Sequence, residues 1–421
     1  MSSAEPKVGI TVEQVAIRRY RAIEFASFEP SKLTVLVGLN GSGKTSALYA
    51  ISIALSRLTS RIASGRTGGP PIRREDIRNG SFAEITVSVR VNRRLYAAET
   101  LGYRNGKTRA TEIETNAQAI DGVPIKHLAD DYREEVKENA EASIPVVVFH
   151  TVSRMGASSS QLKPGKAPYD QTRAYDGAYE TQRNFKEFFK WFREREDFEN
   201  EQIRDHPGFR DRQLDAVRLA ISSVMDGYTN LRIRRRPKLM MVLEKGTEVL
   251  AVNQLSDGER TYLALIGDLA MRLCIANPGL GDPLQGEGVA LIDEIDLHLH
   301  PQWQRRAIEI LPNVFPNVQF IVTTHSPIVA GSALAGSLFI FDSGEIKSID
   351  AYGQDAARIL DEIFDTPPRP NAISERLKKV SDWIDDGNAD AARAEMRHLE
   401  EKLPSTDPEL VRLRMRVRSL A

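Results

Sequence analysis

Apolar positions along this chain follow two rhythms. Val8, Ile10, Val15 and Ile17, then Leu33, Val35 and Val37, alternate with polar residues across residues 8–37, the two-residue period of sheet strands. Apolar stretches at Leu33–Val37, Pro145–Phe149 and Val318–Val322 read as strands, and the continuous apolar run Val289–Ile292, ending in Asp293–Glu294, suits a buried parallel strand. Further strands are predicted at Ala83–Val91, Leu95–Thr100, Leu231–Ile233, Leu239–Glu244 and Val249–Val252.

The second rhythm is helical. One helix runs from Lys44 to about Leu58 and dissolves in SGRTGGPPIRRED; another lies near Ala129–Ala142. Residues 157–175 are small, polar and proline-containing, a loop or linker. From Tyr179 to Asp226 the pattern is helical and charged. There Phe185, Phe188, Phe189 and Phe192 share one face, expected to pack on the protein's own core. Beyond residue 345, YGQDAARILDEIF is amphipathic, and helices follow at about Ser374–Asp386, Ala389–Leu403 and Pro408–Leu420. Leu377, Val380, Trp383 and Ile384 on one face and Ala391, Ala394 and Leu399 on the next would close a small core, with Arg393, Glu395, Arg397, Glu400, Glu401 and Lys402 outward.

Composition narrows the picture little. The 421 residues carry 57 basic and 58 acidic side chains, so a polyanionic partner would need a local patch. The one cysteine, Cys274, sits among apolar residues, which excludes a disulfide within the chain and suits a reducing compartment. With no apolar run of membrane-spanning length and no leader pattern, a cytoplasmic protein without membrane contact is expected.

The chemistry concentrates in a few stretches. In LTVLVGLNGSGKTS, a strand breaks into Gly38, Leu39, Asn40, Gly41, Ser42 and Gly43 before Lys44, Thr45 and Ser46 open a helix. This is G-x-x-x-x-G-K-[ST] in its strand-loop-helix setting. Such a loop aims backbone N–H groups at phosphates, with Lys44 on the β/γ-phosphates and the Thr45 hydroxyl on magnesium. The motif implies a nucleoside triphosphate with Mg2+. Just before it lie Arg18, Arg19, Tyr20 and Arg21; Arg21 could touch the base or belong to a solvated edge. The strand VALI ends in Asp293, suited to magnesium, and Glu294, suited to activating water as a general base. The next strand ends at His325, placed to sense a γ-phosphate, as strand C-termini hold ligand groups in open α/β sheets. Between loop and acids, LSDGE offers Ser256 as a helix cap followed by Asp257, Gly258 and Glu259; Leu263, Ile266, Ala270 and Leu273 make the apolar face of that helix. The densest basic run, Arg232, Arg234, Arg235, Arg236 and Lys238, is either a nucleic-acid footprint or an edge strand protected by charge, with Pro237 fitting an edge.

These pieces, in this order, resemble the ATP-binding-cassette ATPase heads of the branch that includes RecF, the DNA-break-repair ATPases and the overcoming-lysogenization-defect proteins. GLNGSGKTS matches Walker A, LSDGE the signature, VALIDE Walker B and TTHSP the histidine switch; EIDLHLHPQWQ is typical of the branch, with Asp296 at the D-loop position. The resemblance implies an α/β head, a phosphate-loop sheet with an antiparallel lobe. It divides the chain into an N-terminal lobe (residues 1–156), a compact helical insertion (157–230), a C-terminal lobe (231–345) and a helical extension (346–421). It further implies that Ser256, Asp257, Gly258 and Glu259 serve the ATP of a second subunit, in a homodimer or higher homo-oligomer. Two departures stand out. Asp257 replaces the glycine of transporter signatures, and His150 and Arg154 in HTVSR stand where a Q-loop glutamine would follow its strand.

FKEFFKWFREREDFENE, LDAVRLAI and LSDGER are similar to the ATPase subunits of Septu and retron-associated anti-phage systems. That implies an ATPase controlling an HNH-type nuclease, with a retron reverse transcriptase or nucleic acid as a further partner. Residues 346–421 are too short for a topoisomerase-primase nuclease domain, and the C-terminal helices are a candidate docking module. The competing expectation is a repair ATPase acting directly on DNA; intact Lys44, Asp293, Glu294 and His325 argue against a scaffold that never turns ATP over.

Overall fold

The computed structural model describes residues 9–103, 122–151, 170–179, 184–342, 344–367 and 369–419. Arg154 and most of the expected linker therefore lie outside the described residues, which resume there with a 3-10 turn at Gln171–Tyr175.

A six-stranded sheet holds the phosphate-loop strand near its middle. Its order is β14 (Glu345–Ile349), β13 (Leu338–Asp342), β3 (Leu33–Gly38), β12 (Val318–Thr323), β11 (Gly288–Ile292) and β7 (Val146–His150). All neighbours are parallel except β13 and β14. Every position of β3, β7, β11 and β12 is buried, which explains their predominantly apolar sequences. Because β3, β12 and β11 are parallel neighbours, the loop after β3, the acids after β11 and TTHSP at the end of β12 lie at the same end of the sheet.

A five-stranded sheet has the order β2 (Ile23–Phe28), β1 (Thr11–Tyr20), β4 (Phe82–Val91), β5 (Arg94–Tyr103) and β6 (Val123–Pro124), antiparallel apart from the β5–β6 pair. Helix α1 (Lys44–Ser64) packs against strands of both sheets. It outlasts the expected end at Leu58 because Thr59 and Ile62 remain buried, and Gly65, left-handed at φ 74°, closes it with its N–H on Arg61. Gln319, a polar residue in an otherwise apolar strand, staples the sheets together. Its Oε1 accepts from Val12 N at 2.7 Å, and its Nε2 donates to the carbonyls of Val12, Pro30 and Ser31.

Helix α2 (Ile125–Glu138) begins and ends four residues earlier than expected, since Ile125 and Leu128 are part of its buried face. The segment Tyr179–Asp226 is two helices, α3 (Asn184–Asp205) and α4 (Arg212–Val224). Pro207 and Gly208 separate them, and the Asp211 side chain caps the second by accepting from Leu214 N. Phe188 and Phe192 are fully buried as expected, Phe188 so close to α5 (Asp257–Ala276) that a Cβ on Gly267 would meet its ring at 2.7 Å. A three-stranded antiparallel sheet follows, β10 (Glu248–Ala251), β9 (Met240–Lys245) and β8 (Tyr228–Arg234), with β8 at an edge. Helices α6 (Pro301–Val314) and α7 (Pro327–Ala330) complete the unit Met1–Gly353.

The unit Gln354–Ala421 contains α8 (Ala356–Glu362), α9 (Asn371–Asp385), α10 (Ala389–Lys402) and α11 (Pro408–Ser419). Leu377, Val380 and Ile384 of α9 meet Leu410, Leu413 and Val417 of α11 in a small core with Trp383 packed beside it. The α10 face differs from expectation. Ala392, Met396 and Leu399 face this core while Ala394 is exposed, because the i, i+4, i+7 row through the bulkier Met396 fills the space. Glu395 and Glu400 are not simply outward either; they pair with Arg376 of α9 and Arg414 of α11. No described helix is long and apolar enough to cross a membrane.

Candidate functional site

The glycines of the phosphate loop are there by necessity. Gly38 and Gly43 have φ of 142° and 121°, outside the range of ordinary L residues. A Cβ on Gly38 would lie 2.4 Å from Phe341 O, and one on Gly43 2.9 Å from Ile23 Cγ1. The loop is thus clamped between β13 and the start of β2, with Leu39, Asn40 and Gly41 exposed at its tip.

Lys44, only 5% exposed, turns back over the loop, and its Nζ donates to the carbonyls of Gly38 (2.8 Å) and Leu39 (2.9 Å). Burial holds its pKa down to about 8 against the opposing pull of Asp293, Glu294 and Asp296. Ser42 Oγ is buried with no hydrogen-bond partner among the described residues, a free donor inside the loop. Ser46 is half-buried on the first turn of α1.

The two halves of the chain meet at Thr45, whose Oγ1 lies 2.9 Å from Asp293 Oδ1 and 3.2 Å from Oδ2. Asp293 is 2% exposed, and its amide donates to His150 O at 2.8 Å. Thr323 at the end of β12 locks the pair of acids. Its Oγ1 donates to Asp293 Oδ1 at 2.7 Å and accepts from Glu294 N at 2.8 Å. Glu294 has φ 46°, left-handed and uncommon for a side chain of its size, a strain that this amide bond helps to hold. Asp296 accepts from Thr324 Oγ1 at 2.5 Å and from His325 N at 3.4 Å. Burial, and then the charge of Lys44, lower the pKa of His325, so its ring is neutral at pH 7.

Oxygen donors on half-buried Thr45 and buried Asp293, already in contact, fit a hard divalent cation such as Mg2+. The arrangement can cradle a triphosphate, order a cation and present a carboxylate and a neutral imidazole to its end.

Ser256 and Glu259 form a capping box on α5. Ser256 N and Oγ donate to Glu259 Oε2 at 2.9 and 2.8 Å, and Tyr228 OH donates to Glu259 Oε1 at 2.5 Å. Asp257 pairs with Arg260. Ser256 and Asp257 are exposed, and no hydrogen bond among the described residues ties them to the phosphate loop of their own chain. Gly258 has a packing role besides, since a Cβ there would lie 2.1 Å from His298 O in the segment after Asp296.

Arg21, with φ 49°, is not on a solvated edge. Its Nε donates to Asp76 Oδ1 at 2.8 Å, and its guanidinium lies 4.3 Å from the ring centroid of Tyr49. The basic run is partly neutralised. Arg232 pairs with Glu244 at 2.7 Å, and Arg235 with Glu196 at 2.9 Å and with Asp197. Arg234, Arg236 and Lys238 stay exposed, without ion pairs among the described residues. Sequence reading missed Thr323, Thr324 and Gln304, which bonds Ser326 Oγ at 2.7 Å and the Leu299 carbonyl at 3.0 Å. The threonine pair in TTHSP was the available signal: hydroxyls directly after a buried strand that ends beside acids.

A family model described as "AAA domain, putative AbiEii toxin, Type IV TA system" matches residues 33–330. Among curated proteins, the chain is 28% identical to the Retron Ec83 probable ATPase of Escherichia coli, over 86% of this chain and 77% of that one. It is also 28% identical to the Retron Vc95 probable ATPase of Vibrio cholerae serotype O1 biovar El Tor, over 89% and 83% of the two chains. The Septu protein PtuA of Bacillus mycoides is 37% identical over a shorter stretch, 22% of this chain and 13% of that one.

Proposed function

The chain belongs to that AAA-domain family, and from this premise we propose that it is the ATPase subunit of an anti-phage defence complex. The observation that carries the ATPase reading is the contact between Thr45 and Asp293, which joins the phosphate loop to the acids across 248 residues of sequence, and the likeness to two retron ATPases supports the defence role.

In this reading the loop N–H groups, the N-terminus of α1 and the Lys44 ammonium hold the triphosphate. Lys44 exchanges its two loop carbonyls for phosphate oxygens. Thr45 and Asp293 would hold the magnesium, which when bound neutralises phosphate charge. Glu294, set by Thr323, orients a water and accepts its proton. Neutral His325 offers a hydrogen bond to the terminal phosphate, and Arg21 with Tyr49 provides a stacking surface beside the loop for the base.

Ser256, Asp257, Gly258 and Glu259 serve the nucleotide of a second copy, so that ATP closes a dimer of heads. The exposure of Ser256 and Asp257, away from their own loop, supports this arrangement. Closure would regulate an associated HNH-type nuclease, with the unit Gln354–Ala421 as the docking element and Arg234, Arg236 and Lys238 available to a nucleic-acid backbone.

The test is ATP binding by Lys44→Ala. A folded variant that no longer binds ATP is expected; wild-type affinity would remove the loop from the site.

A further inference from the structure

A second group of charged side chains lies apart from the phosphate loop and is completely buried. Asp268 and Arg272, one turn apart on α5, are 0% and 1% exposed. Arg272 Nε donates to Asp268 Oδ2 at 2.8 Å, and its Nη1 donates to the carbonyls of Ala174 (2.6 Å) and Asp176 (3.0 Å). His150, the last residue of β7, is buried as well, with Nε2 3.5 Å from the same Asp268 Oδ2. The His150 carbonyl in turn accepts the Asp293 amide. A polar path therefore runs from α5 through Asp268 and His150 to the backbone of Asp293.

Stability does not account for this arrangement. A buried ion pair is commonly no better than apolar residues of similar volume, because desolvation offsets the attraction. Asp268 Oδ1 adds to that cost, being buried without a hydrogen-bond partner among the described residues. What the network does supply is a restricted geometry, since Arg272 is held at once by Asp268 and by the carbonyls of Ala174 and Asp176. That geometry is delivered at the C-terminal end of β7, beside the carboxylate that touches Thr45.

Resting on the reading of Asp293 as the carboxylate for the magnesium of MgATP, we infer that His150 is a positioning residue. Held by the Asp268–Arg272 pair, it fixes the end of β7 and through it the Asp293 carboxylate. His150 touches neither nucleotide nor water; it acts through Asp293.

The test compares His150→Phe, which fills the space and leaves the Asp268–Arg272 pair intact, with His150→Gln, which keeps a polar N–H facing Asp268. ATP affinity is measured in EDTA and in Mg2+, together with kcat and KM. Under the proposal, His150→Phe binds ATP normally in EDTA but loses the gain in affinity that Mg2+ confers. Its kcat falls roughly 10-fold, the lower end of what removing a partner behind a metal ligand costs, and its KM for MgATP rises with the lost Mg2+-dependent affinity. His150→Gln recovers most of both. Should His150→Phe fail to fold, the apolar double variant Asp268→Leu with Arg272→Met removes the same restraint and is expected to show the same split. Unchanged Mg2+-dependent affinity in the folded variant, or equal losses in EDTA and Mg2+, would overturn the assignment. If wild type hydrolyses no ATP, the proposed function fails, while the Mg2+-dependent binding still reads the role of His150.

Discussion

Thr323 donates its hydroxyl to the Asp293 carboxylate at 2.7 Å and accepts the Glu294 amide through the same oxygen. One side chain on β12 thus fixes the orientation of one acid and the strained backbone of the next. Thr323→Val keeps the shape and removes both bonds. It is expected to bind ATP as wild type does and to hydrolyse it roughly 10-fold more slowly, as loss of a ligand's supporting hydrogen bond commonly does. Steady-state kinetics beside ATP titration checks this; undiminished kcat would leave the threonine a packing residue.

Burial holds Lys44 at a pKa of about 8, and only its ammonium form attracts phosphates. ATP affinity is therefore expected to be level below that value and to fall as pH rises through it, by up to about tenfold per unit. The stability sign is opposite. An unfolded lysine titrates at its ordinary 10.5, so between about 8 and 10.5 the unfolded chain binds the proton that the folded chain lacks, and the fold gains stability as pH rises. Titrations at pH 7, 8 and 9 decide it; affinity that stays flat to pH 9 would mean that Lys44 keeps its charge in the site.

Much of this site is legible in the amino-acid order, and the reasons are local. Gly38, Gly43, Lys44 and Thr45 fall within eight consecutive residues, and their residue types are dictated by close backbone approach and by phosphate charge. The strands β3, β7, β11 and β12 are buried along their whole length, so each appears as a predominantly apolar run. What could not be read is what depends on neighbours distant in sequence. Arg235 looks like a free cation until Glu196 and Asp197 of α3 are placed beside it. Asp268 and Arg272 look like an exposed i, i+4 pair until α5 proves buried around most of its circumference. Ala394 fits an apolar stripe as well as Ala392 does, and only the packing of α9 and α11 selects the latter.

The exposed Ser256 cap predicts a division of labour between copies. Ser256→Arg is expected to leave ATP binding by a single chain intact and to prevent closure of two heads. Mixing it with Lys44→Ala chains creates one composite site free of both defects, so part of the hydrolysis should return, as scored by ATPase rate against mixing ratio. No recovery at any ratio, or lost ATP affinity in Ser256→Arg alone, would place the signature in its own chain's site.

The central claim, that ATP is hydrolysed where the phosphate loop meets the acids after β11, is tested most directly by single-turnover hydrolysis in Glu294→Gln beside wild type. The substitution is isosteric and removes the group that accepts the proton from water. The account predicts that Glu294→Gln binds ATP with at least wild-type affinity and retains it unhydrolysed over a time in which wild type converts it to ADP and phosphate. Hydrolysis by Glu294→Gln at the wild-type rate would contradict it.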